Sequence, residues 1–240
     1  MEAAKKAFKT LLLALGLLPA YLLPAGALSL SEIRSNARVL ALDAGASRQR
    51  YTDAQVNSFI NEGQRLAVLD AKPLVKSSQF ELVAGTTYYS LPADFLQMYR
   101  LTYKHETIQE TTPEALDKQA LWPETGQRPT HYFIQFASRT KVGMYPWPES
   151  SSSTGTVRFE YYATATDLTA DAEEPYGGSV ELDQYGYALA YYAAARMAAI
   201  DGRLDLAAFY LGEFRAGVDR MGREAKNRPS YRPAAVGRRE

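Results

Sequence analysis

The chain has 240 residues, of which 46% are hydrophobic, with 27 basic and 27 acidic side chains. This is enough apolar material for one large domain or two small ones, and zero net charge gives no global pull towards nucleic acid. The absence of cysteine excludes disulfides, thiolate nucleophiles and Cys-ligated zinc.

Residues 1–28 form an apolar N-terminal segment with two readings. Lys5, Lys6 and Lys9 precede an apolar run from Leu11 to Leu23 and the small-residue site Ala25-Gly26-Ala27, which is the pattern of a secretory signal. The run falls short of the about 20 apolar residues a membrane span needs, and Gly16, Pro19 and Pro24 interrupt it. If retained, it must be buried in its own core or against a neighbouring subunit. Retention as a buried interface element is the preferred reading.

Ser29-Leu30-Ser31-Glu32 is a capping box, which places a helix start there. Ile33, Ala37, Leu40 and Ala41 then share one face. Residues 43–50 read as loop. Thr52-Asp53-Ala54-Gln55 is a second box, followed by the stripe Val56, Phe59, Ile60, Gly63 and Ala67. Glycine costs about 1 kcal/mol against alanine within a helix, so Gly63 predicts a close helix contact. Lys72-Pro73 ends this region.

From about residue 79 to 165 the texture is β. Phe80, Leu82 and Val83 lead to a turn at Gly85-Thr86, and Tyr88 to Leu91 form the next strand. Pro92-Ala93-Asp94 breaks the ladder before a strand from Phe95 to Tyr103. Thr112 caps a short helix with Pro113 at its first position, carrying Ala115, Leu116 and Leu121. Gly126-Gln127-Arg128-Pro129 reads as a turn. Thr130 to Ala137 and Lys141 to Tyr145 read as a hairpin, and Val157 to Ala163 as a further strand. Seventeen tyrosines supply rigid area with polar tips, suited to strands and to wet interfaces.

Between residues 167 and 183 the charged side chains are all acidic: Asp167, Asp171, Glu173, Glu174, Glu181 and Asp183. A solvated acidic loop over residues 167–177 is the simplest reading. Helix resumes with Leu182, Tyr185, Leu189, Tyr192, Arg196 and Ile200, breaks at Gly202, and continues through Leu206, Tyr210, Phe214, Val218 and Met221. From Arg215 to Arg239 the balance turns basic, and residues 227–240 read as an extended basic tail.

The predicted fold is therefore α+β. Residues 29–75 and 178–226 form one helical bundle, and residues 76–166 an inserted antiparallel β-sandwich or barrel-like domain. His105 and His131 lack metal-ligand spacing, and no nucleophile elbow, P-loop or dinucleotide fingerprint occurs. No catalytic residue, cofactor or metal site is assigned.

In order, the Leu30-Ser31-Glu32-Ile33 helix start, Tyr51-Thr52-Asp53, Tyr89-Ser90-Leu91-Pro92-Ala93-Asp94-Phe95, Arg128-Pro129-Thr130-His131-Tyr132, Tyr145-Pro146-Trp147-Pro148 and Tyr187-Ala188-Leu189-Ala190-Tyr191-Tyr192-Ala193 resemble the head-to-tail adaptor proteins of tailed bacteriophages. The resemblance implies a structural virion protein at the head–tail junction, assembled in the host cytoplasm. Its partners would be the portal protein, tail or nozzle proteins, and copies of itself in a ring of roughly twelve, with DNA passing through without sequence-specific binding. It also implies a portal-binding tail, which places Arg228, Tyr231, Arg232, Arg238 and Arg239 there. Asp167, Asp171, Glu173 and Glu174 would then face the lumen or the tail. The rival expectation is an exported periplasmic or envelope binding or adhesion module with a cleaved signal peptide.

Overall fold

A computed structural model describes residues 28–45, 49–118, 125–126, 128–135, 140–149 and 155–227. The N-terminal apolar run, Leu121 and the five tail residues from Arg228 to Arg239 lie outside them.

Two helices open the described chain: α1 (Leu30–Leu40) and α2 (Asp53–Ala71). Both begin at the capping boxes read from the sequence. Ser29 Oγ accepts from the Glu32 amide while the Glu32 carboxylate accepts from the Ser29 amide, and Thr52 and Gln55 repeat the exchange. Helix α2 stops at Lys72, whose left-handed backbone (φ 48°) precedes Pro73. The chain returns to helix in α4 (Gly186–Ile200) and α5 (Leu204–Asn227), with the short α3 (Pro113–Lys118) in between. Thr112 caps α3 through its hydroxyl.

Residues from α1, α2, α4 and α5 share one core. Helix α4 is alanine-rich and buried on nearly every side, so the other three pack around it. Gly63 permits the α2–α4 approach, since a Cβ there would lie 2.9 Å from Tyr192 Cδ1. The α5 stripe Tyr210, Phe214, Val218 and Met221 is buried as the spacing predicts.

Among the described residues the inserted β region holds ten strands: β1 (Val75–Glu81), β2 (Tyr88–Ser90), β3 (Phe95–Tyr103), β4 (Glu106–Thr107), β5 (Gln109–Glu110), β6 (Thr125–Gly126), β7 (His131–Ile134), β8 (Lys141–Tyr145), β9 (Trp147–Pro148) and β10 (Thr156–Ala163). They form two four-stranded sheets, β1-β10-β3-β4 and β2-β8-β7-β5, and a two-stranded β6-β9 pair. The two larger sheets share a second core that includes Leu101, Tyr103, Val142, Met144, Val157 and Phe159. On the other face of the second sheet, Leu116 of α3 packs with Phe133 and Tyr145.

The β7–β8 hairpin and the β3 bounds match the sequence reading. Three details differ. Strand β1 starts at Val75, before the expected onset, because Lys76, Ser77 and Ser78 are polar on an edge strand and give no apolar alternation. The Gly85-Thr86 turn exists, but the strands it joins separate into different sheets, with β1 beside β10 and β2 beside β8. Gly126 belongs to a parallel pairing with Pro148, not simply to a turn.

Candidate functional site

The acidic stretch is where the sequence places a functional surface; Asp167, Asp171, Glu173 and Glu174 are exposed on it, and its backbone is anchored to the bundle. Its backbone is held by two buried amides of α2. Asn61 Nδ2 donates to the Leu168 carbonyl at 3.0 Å, and the Leu168 amide donates to Asn61 Oδ1 at 2.8 Å. Gln64 donates to the Thr166 carbonyl at 2.8 Å and accepts from the Tyr176 amide at 2.9 Å. These side chains copy a strand's hydrogen bonding, which is why the segment needs no ladder of its own.

The loop also completes α1. The Leu30 and Ser31 amides donate to the carbonyls of Glu173 and Asp171, at 2.8 and 3.1 Å. Orphan N–H groups of the first helical turn are satisfied in this way. The carboxylates are engaged too. Asp171 pairs with Arg34 at 2.9 Å and Asp167 with Arg65 at 2.5 Å. The Glu173 carboxylate accepts from the Thr169 and Ala170 amides, which hold its pKa below the ordinary value. Chain direction reverses through Pro175–Gly177, where Tyr176 is left-handed (φ 57°) and buried. A 3-10 turn over Val180–Tyr185 then leads into α4, so α-helix begins later than the Leu182 periodicity implies.

At the opposite end of the bundle lies a charged junction that the sequence reading did not foresee. Buried Arg38 of α1 reaches Asp43 at 2.7 Å, Asp53 at 2.7 Å and the Tyr51 carbonyl at 2.9 Å. Arg50 pairs with Asp201 at 2.7 Å, Tyr51 Oη donates to the same Asp201 side chain at 2.8 Å, and Arg203 donates to Asp201 and to the Ala41 carbonyl. The Arg38 hydrogen bond lowers the Asp53 pKa. For Asp201, burial acts upward but is outweighed by the Tyr51 and Arg203 hydrogen bonds, and the net direction is down. Tyr51 is pushed up to about 12, first by burial and then by the Asp201 hydrogen bond. The one signal available was a set of charged residues clustered where an apolar helix face ends.

The β insert has a comparable clip at the Pro92-Ala93-Asp94 corner. Asp94 accepts from Lys76 Nζ at 2.7 Å and Tyr161 Oη at 3.0 Å, while its carbonyl accepts from the Thr164 amide at 2.8 Å. The corner thus binds β1 and β10 together. His105 sits in the β3–β4 turn with φ 67°, not on a strand, and His131 opens β7 of the other sheet. Among the described residues no group of three His, Asp or Glu is placed to hold a metal ion.

Side chains at both bundle ends and at the β corner are thus directed to the chain itself, as in a scaffold that presents surfaces. Residues 28–238 match the family model described as SU10 adaptor protein, and the chain belongs to this family of phage head-to-tail adaptors. The match spans the bundle, the β insert and most of the basic tail. No curated protein matches the chain.

Proposed function

We propose that the protein is a ring subunit joining the portal of a phage head to its tail, with DNA passing through the ring. The observation that carries this reading is the family match over residues 28–238, whose span contains a bundle stapled at both ends by the acidic loop and the charged junction. A ring subunit must keep its shape while partners load its faces, and each lasting contact buries at least about 1,000 Å². The acidic loop supports a place at the lumen or tail side. Asp167 and Asp171 are paired with Arg65 and Arg34, while Glu173 and Glu174 add negative charge to the same exposed surface, which disfavours lasting contact with phosphate and lets DNA slide.

The basic tail carries the portal contact in this reading, through Arg228, Tyr231, Arg232, Arg238 and Arg239. About twelve copies would close the ring, assembled in the host cytoplasm and retained at the head–tail junction of the virion. The test is native mass measurement after mixing the chain with the portal encoded beside it. A defined complex, lost on Arg228→Glu with Arg232→Glu while the thermal melt is unchanged, is the expected result. No complex with the unaltered chain would overturn the reading, and an unchanged complex with the double variant would overturn the tail's role.

A further inference from the structure

The outer face of the first sheet carries a cavity of about 250 Å³ that the reading above leaves unused. It is lined by Ser77, Arg100, Thr102, His105, Arg158 and Glu160. Strand alternation puts these groups on that face. On β10, Arg158 and Glu160 alternate with Val157, Phe159 and Tyr161, which are buried in the core shared by the two sheets. The ladder sets Ser77, Glu160 and Arg100 in one row, and Arg158 and Thr102 in the next. Thr102 Oγ1 also donates to the Arg158 carbonyl at 3.2 Å, which adds a side-chain tie to that strand pair.

Two observations set the cavity apart. Among the described residues, every arginine outside α5 pairs with a carboxylate except Arg100 and Arg158. Arg100 is half-buried and lies directly across the ladder from Glu160, yet the two form no ion pair. Its charge is thus partly desolvated without a carboxylate to offset the cost. The second observation is the β3–β4 turn that brings His105 to the cavity. Lys104 and His105 have φ 48° and 67°, a left-handed pair of the kind that glycine and asparagine usually fill. Such backbone outliers cluster at ligand clamps and need the surrounding structure to hold them.

We infer that the cavity receives a carboxylate side chain of a partner protein, held between Arg100 and Arg158. Two arginines against one glutamate leave the lining one positive charge in excess when His105 is neutral, which matches a single carboxylate. Planar guanidinium forks bind that group bidentately. The Ser77 hydroxyl supplies a further donor. The volume lies below the about 300–1,000 Å³ of small-molecule pockets, so a side chain fits and a nucleotide-sized ligand does not. Both arginines stand on paired strands, which fixes their spacing better than a loop would.

The probe is an acetylated and amidated Gly-Glu-Gly peptide added to the full chain, read by the arginine Nε–H signals in NMR. Gly-Gln-Gly, inorganic phosphate and a short DNA duplex serve as comparisons. The Arg100 and Arg158 signals should move saturably, with a Kd on the order of millimolar. Those of Arg215, Arg220 and Arg223, exposed on α5, should move at least about fivefold less. Glu160→Gln removes the lining's one carboxylate and should tighten binding about threefold or more. Arg158→Gln, at an exposed position, should remove the Arg100 shift, and Arg158→Lys should restore only part of it. Equal shifts at the α5 arginines or with Gly-Gln-Gly overturn the inference. So do larger shifts with phosphate or the duplex, or a Glu160→Gln variant that binds no tighter. Shifts of both arginines on dilution of the chain alone would make a second copy the occupant and overturn it too. None of these outcomes bears on portal binding, so the two readings fail separately.

Discussion

The amide side chain of Asn61 and the backbone of Leu168 exchange two hydrogen bonds, at 3.0 and 2.8 Å, across 107 residues of sequence. The pair fastens the segment leaving the β insert to the helix that precedes it. Asn61→Ala orphans a buried amide and a buried carbonyl, each costing about 1–3 kcal/mol. The urea midpoint should fall with no change in slope. Asn61→Asp keeps the acceptor but sets a carboxylate oxygen against the Leu168 carbonyl, and should also destabilise.

Removing Asp43 tests the junction at the other end. Its carboxylate is buried against Arg38, and Asp43→Ala leaves Nη1 of that guanidinium without its buried carboxylate while Asp53 and the Tyr51 carbonyl still hold Nη2. Breaking a buried pair from one side costs about 3–5 kcal/mol. Thermal unfolding should show the loss, and Arg38→Met combined with Asp43→Ala should recover part of it.

Glycine replacements separate the bundle core from the cluster on the outer face of the second sheet. A Cβ at Gly63 would sit 2.9 Å from Tyr192, and one at Gly143 would sit 2.3 Å from the Phe133 ring. Each alanine variant should lose about 1–3 kcal/mol through overpacking. Phe133→Leu should rescue Gly143→Ala in a melt and leave Gly63→Ala unaffected.

The pH profile should have two shoulders. Asp53 and Asp201 have folded-state pKa values below their ordinary 3.8. Their contribution is complete above that value and is lost as pH falls through the lower folded-state values. Tyr51, Tyr161 and Tyr192 are pushed up to about 12, with burial the first cause in each. Their contribution is complete below pH 10 and is lost as pH rises from 10 to about 12. Absorbance titration of phenolate should therefore show a late-ionising group of tyrosines, and Tyr51→Phe should shrink it.

Local chemistry explains which parts of this fold the sequence reveals. Both capping boxes are legible because their partners lie three residues apart, and the α5 stripe because its period is uninterrupted. The acidic loop's order is not legible, since it depends on Asn61 and Gln64, two polar residues placed among apolar neighbours on a helix. The same holds for the junction, where Arg38 and Asp201 meet only through the folded chain. The strand exchange after Gly85 is hidden because a turn signal fixes a bend and says nothing about which sheet receives the next strand.

The bundle's split across the sequence has a further consequence during synthesis. Helices α1 and α2 leave the ribosome about a hundred residues before α4, which at roughly 5–20 residues per second is a wait on the order of ten seconds. The β insert can close in that interval, whereas the first helix pair has no core until Gly186–Ile200 arrives. A prematurely terminated chain thus leaves an unprotected apolar helix pair open to chaperones and proteases. Only a chain translated through Gly186–Ile200 can close the bundle core.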